Sequence, residues 1–574
     1  MALFDPEARP ALAERVTTDL LVIGSGASGL TAALAGLLAG LRVIVVDSAP
    51  AFGGTTARSS GTSWVPDNRM MRAAGMEGDR EQAELYLDTL IGPRGPRAPW
   101  EAFLDAAPEM QADLEDRAEI VFRPYRGAPD YRANLPGAGQ GWRPLEPVEF
   151  DGRLLGGYFP LIANPVPEFT VFNGMMVTRA EAGRLVHAEK SLSAMVLGAR
   201  LTLRYLADRL SGHRRGTRLV MGNALVARLV HAVLARGGLL YENVLVGGLR
   251  MEGGRVVGAE VTRNGVSARI DATRGVVLAG GGFPGNEDWR RRELPSPAPE
   301  HTPASPYACA GTIGLATDVG AALGPKLSDA GLWFPSSLRT RADGSLAVYP
   351  HIALDRAKPG SIIVNSAGRR FANEALSYHD FVRAMYAAHR ETSAIPAWLI
   401  GDRSFLRRYG MGIVRPRTPA LGGYVREGYL KYGRTVAELA RAINVPGAEL
   451  AETIRRFNVF ASTGTDADFA RGETSYQRSN GDAAHGPNPC LGPVGERELY
   501  AVALYPTPLG TSRGLSASVD GEVRDGQGGP IPGLYVCGND MQSCFSGEYP
   551  GAGAQIGAGM TFAWRAVRHI TRNP

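Results

Sequence analysis

Apolar residues along this chain come in short runs, each stopped by glycines. Residues 18–23 (TDLLVI) form the first run, which ends in Gly24-Ser25-Gly26-Ala27-Ser28-Gly29. An Ala/Leu-rich stretch with the pattern of a helix follows to about Leu38, and a second run, Arg42 to Val46, ends in Asp47. The pattern predicts strand, glycine-rich turn, helix, strand and acid, the order of a βαβ dinucleotide site. Each part has a physical task. Gly24 allows the tight turn, Gly26 lets backbone approach a pyrophosphate, and Gly29 lets helix and strand pack closely. The helix N-terminus offers unpaired N–H groups to phosphate, and Asp47, 18 residues after Gly29, is placed to accept hydrogen bonds from a ribose. Two later runs repeat the ending in glycine: Arg274-Gly275-Val276-Val277-Leu278-Ala279-Gly280-Gly281-Gly282 and Gly533-Leu534-Tyr535-Val536-Cys537-Gly538-Asn539.

A second Gly/Ser/Thr-rich loop, SAPAFGGTTARSSGTSWVP, directly follows Asp47. Small hydroxyl residues and bare backbone suit a long flavin dinucleotide lying extended, so FAD rather than NAD is the expected cofactor. The expected contacts are Gly24, Gly26, Ala27, Ser28 and Gly29 in the first loop, then Asp47 and Ser48. Gly53, Gly54, Thr55, Thr56, Ser59, Ser60 and Gly61 follow in the second loop. Val246, Ala279, Gly280, Gly281, Gly538, Asn539, Ala554 and Ile556 complete the set. One cofactor touched by segments this far apart implies an α/β, Rossmann-like domain closed by its own C-terminus, with other sequence inserted. We expect an FAD-binding domain over 1–300 with an insertion at about 93–215, an α+β catalytic domain over 301–485, and a return to the first domain over 486–574. An amphipathic helix is expected from about Lys190 to Leu210. It is read as a helix packed on the core, with peripheral membrane or apolar-substrate contact as the alternative.

Composition narrows the class. Charged residues are 21% and hydrophobic residues 44%, ordinary for a globular protein, which excludes a disordered chain and a coiled coil. The 73 glycines in 574 residues have no Gly-X-Y period, so they do not make collagen. The net charge of +5 is scattered, without the basic stripe of a nucleic-acid binder. The four cysteines, Cys309, Cys490, Cys537 and Cys544, form no CxxC pair and no metal-ligand spacing, and read as reduced thiols. No apolar run has the length of a membrane span and the N-terminus lacks the apolar core of a secretory signal, so a cytoplasmic location is expected.

The motifs NPCLGPVGERELYAVALYP, PLGTSRGL, IPGLYVCGND and GEYPGAGAQIGAGMTFAWRA resemble the flavoprotein 3-ketosteroid Δ1-dehydrogenases, within the succinate dehydrogenase/fumarate reductase flavoprotein superfamily. GGTTARSSGTSWVP, RGTRLVMGNALVARL and PGSIIVNSAGRRFANE extend the resemblance over nearly the whole chain. It implies FAD-dependent desaturation of a cyclic ketone, either a 3-ketosteroid or a smaller ring such as cyclohexanone. An α-proton leaves to a base and a hydride leaves the β-carbon to the flavin. The resemblance implies that Tyr549 and Gly553 of YPGAG hold the ketone oxygen and that Tyr378 of NEALSY is the base. A second tyrosine supports that base, with Tyr131 as the first candidate and Tyr125 as the second.

A carboxylate-acting member of the superfamily is the alternative. It would place an arginine in the last glycine-rich segment, where EYPGAG has none; Arg513 of GTSRGL is the nearest. A flavin-binding protein without turnover is a third possibility. One departure from the superfamily pattern is Thr312 in AGTIG, where an acid is expected.

Overall fold

The structure, a computed structural model, describes residues 4–7, 9–185, 191–352 and 355–573. The first sheet is built on the expected βαβ unit. Strand Arg15–Ile23 runs parallel to Val43–Val46 on one side and to Val266–Leu278 on the other, with Leu20–Ile23 in register with both. Parallel strands Leu239–Tyr241 and Pro530–Val536 extend the two sides. Leu20, Leu21, Val22, Val45, Val46, Val276, Val277 and Leu278 are fully buried, as apolar runs covered on both faces should be.

Glycines set how closely these layers approach. A Cβ on Gly29 would lie 2.0 Å from the carbonyl oxygen of Gly24, so only glycine lets helix Ala27–Leu38 start this close to its strand. The C-terminal helix Ala554–Arg572 packs against the same helix. There Gly559 and Gly538 admit the Ser28 side chain, which would stand 2.3 and 2.8 Å from added Cβ atoms. The chain thus closes its first domain with its last residues.

The inserted sequence forms a second sheet, wholly antiparallel. Its order is Leu346–Pro350, Gly331–Thr340, Arg497–Thr511, Ala397–Asp402 and Ser361–Val364, with Lys431–Thr435 also paired to Arg497–Thr511. The strand at its centre lies beyond residue 485. We therefore propose that the return to the FAD domain begins after Thr511 rather than near 486.

Helix Leu192–Leu210 differs from the expected core helix; Lys190, where it was expected to begin, lies outside the described residues. Leu201 and Tyr205 pack with Met175 and Val177 in a small cluster of their own, not on the main core. Leu192, Val196, Leu203 and Leu210 stay 59% or more exposed. Periodicity reported an apolar stripe here but could not report what covers it. Among the described residues no helix is long and apolar enough to cross a membrane.

Candidate active site

The glycine loops meet at the carboxyl ends of the parallel strands. Asp47 Oδ2 accepts from the Ser25 N–H at 2.8 Å and from its hydroxyl at 2.5 Å, and Oδ1 accepts from the Ala49 N–H at 2.8 Å. Asp47 therefore braces the first turn, a role that its spacing from Gly29 does not reveal. Burial raises its pKa, against the pull of these donors. In the second loop Thr56 Oγ1 accepts from the Ala27 N–H at 3.1 Å and Ser59 Oγ from the Gly61 N–H at 3.0 Å. Thr55 Oγ1 accepts from the Ser305 N–H at 3.0 Å, and Ser60 bonds Thr62 through their hydroxyls at 2.9 Å. These side chains hold the loop's shape, and Gly61 packs against Gly222, where a Cβ would be 2.7 Å away.

The backbone here has the form a dinucleotide needs. Gly26 caps the first helix with no side-chain hydrogen bond, and a Cβ on it would meet nothing nearer than Thr56 Oγ1 at 3.8 Å. A Cβ on Gly54 would meet nothing within 4 Å. Bare backbone at a helix N-terminus whose cap residue carries no side chain fits the pyrophosphate of FAD. Ser48, Gly53, Ala279, Gly281 and Ile556 lie in these same loops or at the start of the C-terminal helix, and Val246 sits in strand Val244–Glu252.

Sequence reasoning passed over Asp540, next to Asn539. Its buried carboxylate accepts from the Gly280 N–H at 2.5 Å and the Gly282 N–H at 2.7 Å, and the Thr312 hydroxyl donates to it as well. Thr312, at the position where an acid was expected, thus works with an acid supplied from another strand end. The dipeptide following Gly538, Asn-Asp, was the available signal.

Three tyrosines from distant segments come together. The Tyr131 hydroxyl donates to the Tyr378 oxygen at 2.5 Å. The ring centres of Tyr131 and Tyr378 stand 5.2 Å apart, and each is 5.5 Å from that of Tyr549. Local sequence explains the meeting. Ser377 caps helix Tyr378–His389 by accepting from the Asp380 N–H, and its hydroxyl donates to the Asp380 carboxylate at 2.9 Å. Tyr378 is thereby placed in the first helical turn, where the positive end of the helix favours an anion. Pro550 O accepts both from the Tyr131 N–H at 3.0 Å and from the Tyr86 hydroxyl at 2.8 Å, tying the 131 segment to the YPG turn. Tyr125, the second candidate for the supporting role, instead lies under Arg179, 4.6 Å from the guanidinium carbon. Tyr476, unnoticed in the sequence, stands 5.1 Å from Tyr131.

Gln555 Nε2 donates to the Tyr549 hydroxyl oxygen at 3.1 Å, and Asn539 Nδ2 holds Gln555 Oε1 at 2.9 Å. With its oxygen already accepting, Tyr549 has its O–H to donate. Gly553 caps the C-terminal helix at φ +89°, and a Cβ there would lie 2.3 Å from the Thr62 carbonyl oxygen. Its N–H belongs to the first turn, which has no intrahelical acceptor. Two donors at the positive end of a helix suit an oxygen on which negative charge develops.

Burial pushes the pKa of Tyr378 well above 10, and burial likewise raises Tyr131 and Tyr549. His379 is buried, donates through Nε2 to the Gly547 carbonyl at 3.1 Å, and is lowered by burial. It positions the segment before Tyr549.

Arginines around the site are mostly spoken for. Arg94, Arg132 and Arg383 converge on Glu548, beside Tyr549, at 3.1, 3.4 and 2.9 Å. Arg513 pairs with Glu293 and gives its Nε–H to Gly324 O. It is not free to grip a carboxylate in the last glycine-rich segment.

The sequence from 19 to 556 matches the family model described as FAD binding domain. The chain is 37% identical to the 4-oxocyclohex-2-ene-1-carboxylate 5-dehydrogenase of Sinomonas cyclohexanicum, over 97% of this chain and 94% of that one. It is 35% identical to the 3-oxosteroid 1-dehydrogenase of Mycobacterium tuberculosis, over 96% and 98%. Among solved structures, the 3-ketosteroid Δ1-dehydrogenase of Sterolibacterium denitrificans, in complex with 1,4-androstadiene-3,17-dione, is similar at TM-score 0.90 and 35% identity, over 97% of this chain and all of that one.

Proposed function

Since the chain belongs to the FAD binding domain family and is an FAD-dependent dehydrogenase acting on CH–CH bonds, we propose that it desaturates a cyclic ketone at the Tyr131–Tyr378–Tyr549 cluster. FAD, when bound, accepts the hydride released by the β-carbon. The protein's residues handle the oxygen and the proton. Tyr549 O–H and Gly553 N–H receive the ketone oxygen and stabilise the charge that grows on it as the α-carbon loses its proton. Tyr378 takes that proton, and Tyr131, donating to the Tyr378 oxygen, stabilises its anionic form. The observation that carries this reading is the meeting of Tyr131 and Tyr378 at 2.5 Å beside Tyr549. The relatives' names supply two ring types for the substrate, a 3-oxosteroid and a 4-oxocyclohexene carboxylate.

The test is the anaerobic bleaching of the oxidised flavin by such ketones, followed against pH. A base with a pKa raised above 10 is mostly protonated at neutral pH, so the bleaching rate rises with pH by about tenfold per unit. The three phenols are neutral in both folded and unfolded protein below about pH 10, so the fold is not weakened by their ionisation in that window. A rate independent of pH between about 7 and 10 removes Tyr378 as a base with a raised pKa. No bleaching by any ring ketone, with a flavin band present, removes the ketone reading.

We also propose that helix Leu192–Leu210 rests on an anionic lipid surface. Its exposed leucines share the helix with Arg200 and Arg209, with Arg214 just beyond. That pairing suits shallow insertion among acidic headgroups. Co-sedimentation with vesicles containing anionic lipid should hold the full chain, and Leu203→Glu with Leu206→Glu should release it. Equal recovery of both proteins with the vesicles would refute the docking.

A further inference from the structure

Tyr131 borders a cavity of about 410 Å³ among the 131 segment, helix Tyr378–His389 and the short helix Ser475–Asn480. Tyr131, Tyr476 and Gln477 stand on its wall and are only 6–7% exposed. Asn134 and Arg94 also line it and lie at the outer surface. The cavity therefore runs from solvent to the inner tyrosines. Its lining comes from other segments than the Tyr549 and Gly553 of YPGAG. Among the residues on its wall, Tyr131 is the one bonded to the Tyr378 hydroxyl, at 2.5 Å.

Polar groups on the wall call for water. Among the described residues neither the Tyr476 hydroxyl nor the Gln477 Nε2 amide has a protein hydrogen-bond partner. Gln477 Oε1, by contrast, accepts from the N–H groups of Gly472 and Glu473 at 2.7 and 3.2 Å. Polar groups in so large a recess are satisfied by water, and 410 Å³ has room for about a dozen molecules at roughly 30 Å³ each. Charge on the wall is already answered. Asp380 accepts from Arg132 at 2.8 Å, and Arg94, Arg132 and Arg383 share Glu548. Each guanidinium thus has a carboxylate, and no unpaired cation of the wall opposes a proton crossing this water.

Resting on the ring-ketone reading above, we propose that this cavity is the outlet for the substrate's α-proton, with Tyr131 as the relay from Tyr378 to its water. Desaturation leaves a proton on the Tyr378 oxygen at every turnover, and the base works again only when that proton has gone. Tyr378 is itself 6% exposed, and a seated ring covers its substrate side. Tyr131 has both the Tyr378 hydroxyl and the cavity as neighbours. The Tyr378 O–H bond breaks as its proton moves to the Tyr131 oxygen, and the former Tyr131 O–H bond breaks as that proton moves to cavity water. Tyr131 ends neutral with one O–H, donating to a Tyr378 phenolate, and solvent holds the proton. No electron changes place in this step. Tyr476, its ring 5.1 Å from that of Tyr131, and Gln477 are positioning residues for the first waters beyond the relay.

The experiment follows anaerobic bleaching of the FAD-loaded full chain by androst-4-ene-3,17-dione and by cyclohexanone, each unlabelled and deuterated at the α-carbons. Asn134 lines the mouth, and among the described residues its side chain makes no hydrogen bond. Asn134→Trp fills that mouth and should slow bleaching by about tenfold or more. The α-deuterium isotope effect should fall toward unity in the same variant, because proton exit and no longer proton abstraction then limits the rate. A rate within about a factor of two of the wild type overturns the outlet. A slower rate that keeps the full α-deuterium effect overturns it too, since that is the mark of a misplaced base. Should Asn134→Trp fail to fold, Tyr476→Phe combined with Gln477→Leu removes the water-holding groups at nearly unchanged volume, and it must show the same two changes. All these outcomes leave ring desaturation standing. Bleaching of the wild type by neither ketone, with a flavin band present, overturns the ring-ketone reading itself.

Discussion

Replacing Tyr378 by phenylalanine should lower the rate of anaerobic flavin reduction by about 10²- to 10⁴-fold while the protein keeps its FAD, because that is the usual contribution of a positioned base. The substitution removes one oxygen and leaves the ring, which packs edge-on against Phe334 at 4.4 Å and against Tyr131 at 5.2 Å. The ring's packing survives, so the fold has little reason to change. What is lost is the acceptor for the α-proton and the partner of the Tyr131 hydroxyl. Tyr131→Phe should be milder and of a different kind. With no donor left to stabilise the phenolate, the alkaline rise in rate should move to still higher pH. Stopped-flow reduction with equal flavin content in all proteins is the measurement. A Tyr378→Phe rate within a factor of a few of the wild type would mean that the proton goes elsewhere.

Gly24→Ala should yield protein largely without flavin, read as the ratio of flavin to protein absorbance after purification. Two independent obstacles meet at this residue. Its φ of +112° is a conformation that L side chains rarely adopt, and its Cβ would lie 2.2 Å from the Ala279 carbonyl oxygen and 2.6 Å from the Ala279 carbonyl carbon. Both atoms are backbone at the end of the neighbouring strand, so no side chain can swing aside. The first and third glycine loops would have to part, and both are expected to face the dinucleotide. Backbone strain and overpacking each cost about 1–3 kcal/mol, which together are a large share of ordinary domain stability. Gly40→Ala is the control. Gly40 also has a positive φ, +83°, but a Cβ there meets nothing within 4 Å. It should bind flavin normally, and flavin loss to the same extent in both variants would show that the clash at Gly24 is not the cause.

The dinucleotide unit was legible because its physics is local. A buried parallel strand needs an unbroken apolar run, a pyrophosphate needs bare backbone, and a helix starting close to its strand needs glycine. All three show in the order of residues 18–47. Tyr378 and Tyr549 became candidates for another reason: NEALSY and YPGAG resemble motifs of the 3-ketosteroid Δ1-dehydrogenases. Asp540 and Gln555 did not. Asp540 acts on the loop at 280–282, far away in the chain, and Gln555, though only six residues after Tyr549, is held by Asn539 as it donates to the Tyr549 oxygen.

The same division runs through the whole molecule. Sequence by itself determined that this chain builds an FAD-binding α/β domain closed by its C-terminus, and its family resemblance named candidate tyrosines. Those properties depend on periodicity, glycine placement and short motifs. Tertiary structure alone brought Tyr131 rather than Tyr125 to the Tyr378 hydroxyl and left helix Leu192–Leu210 with an uncovered apolar face. Whether a side chain is covered, paired or within 3 Å of a hydroxyl is a property of segments that meet only after folding. Pairing across 247 residues, as between Tyr131 and Tyr378, leaves no local pattern to read.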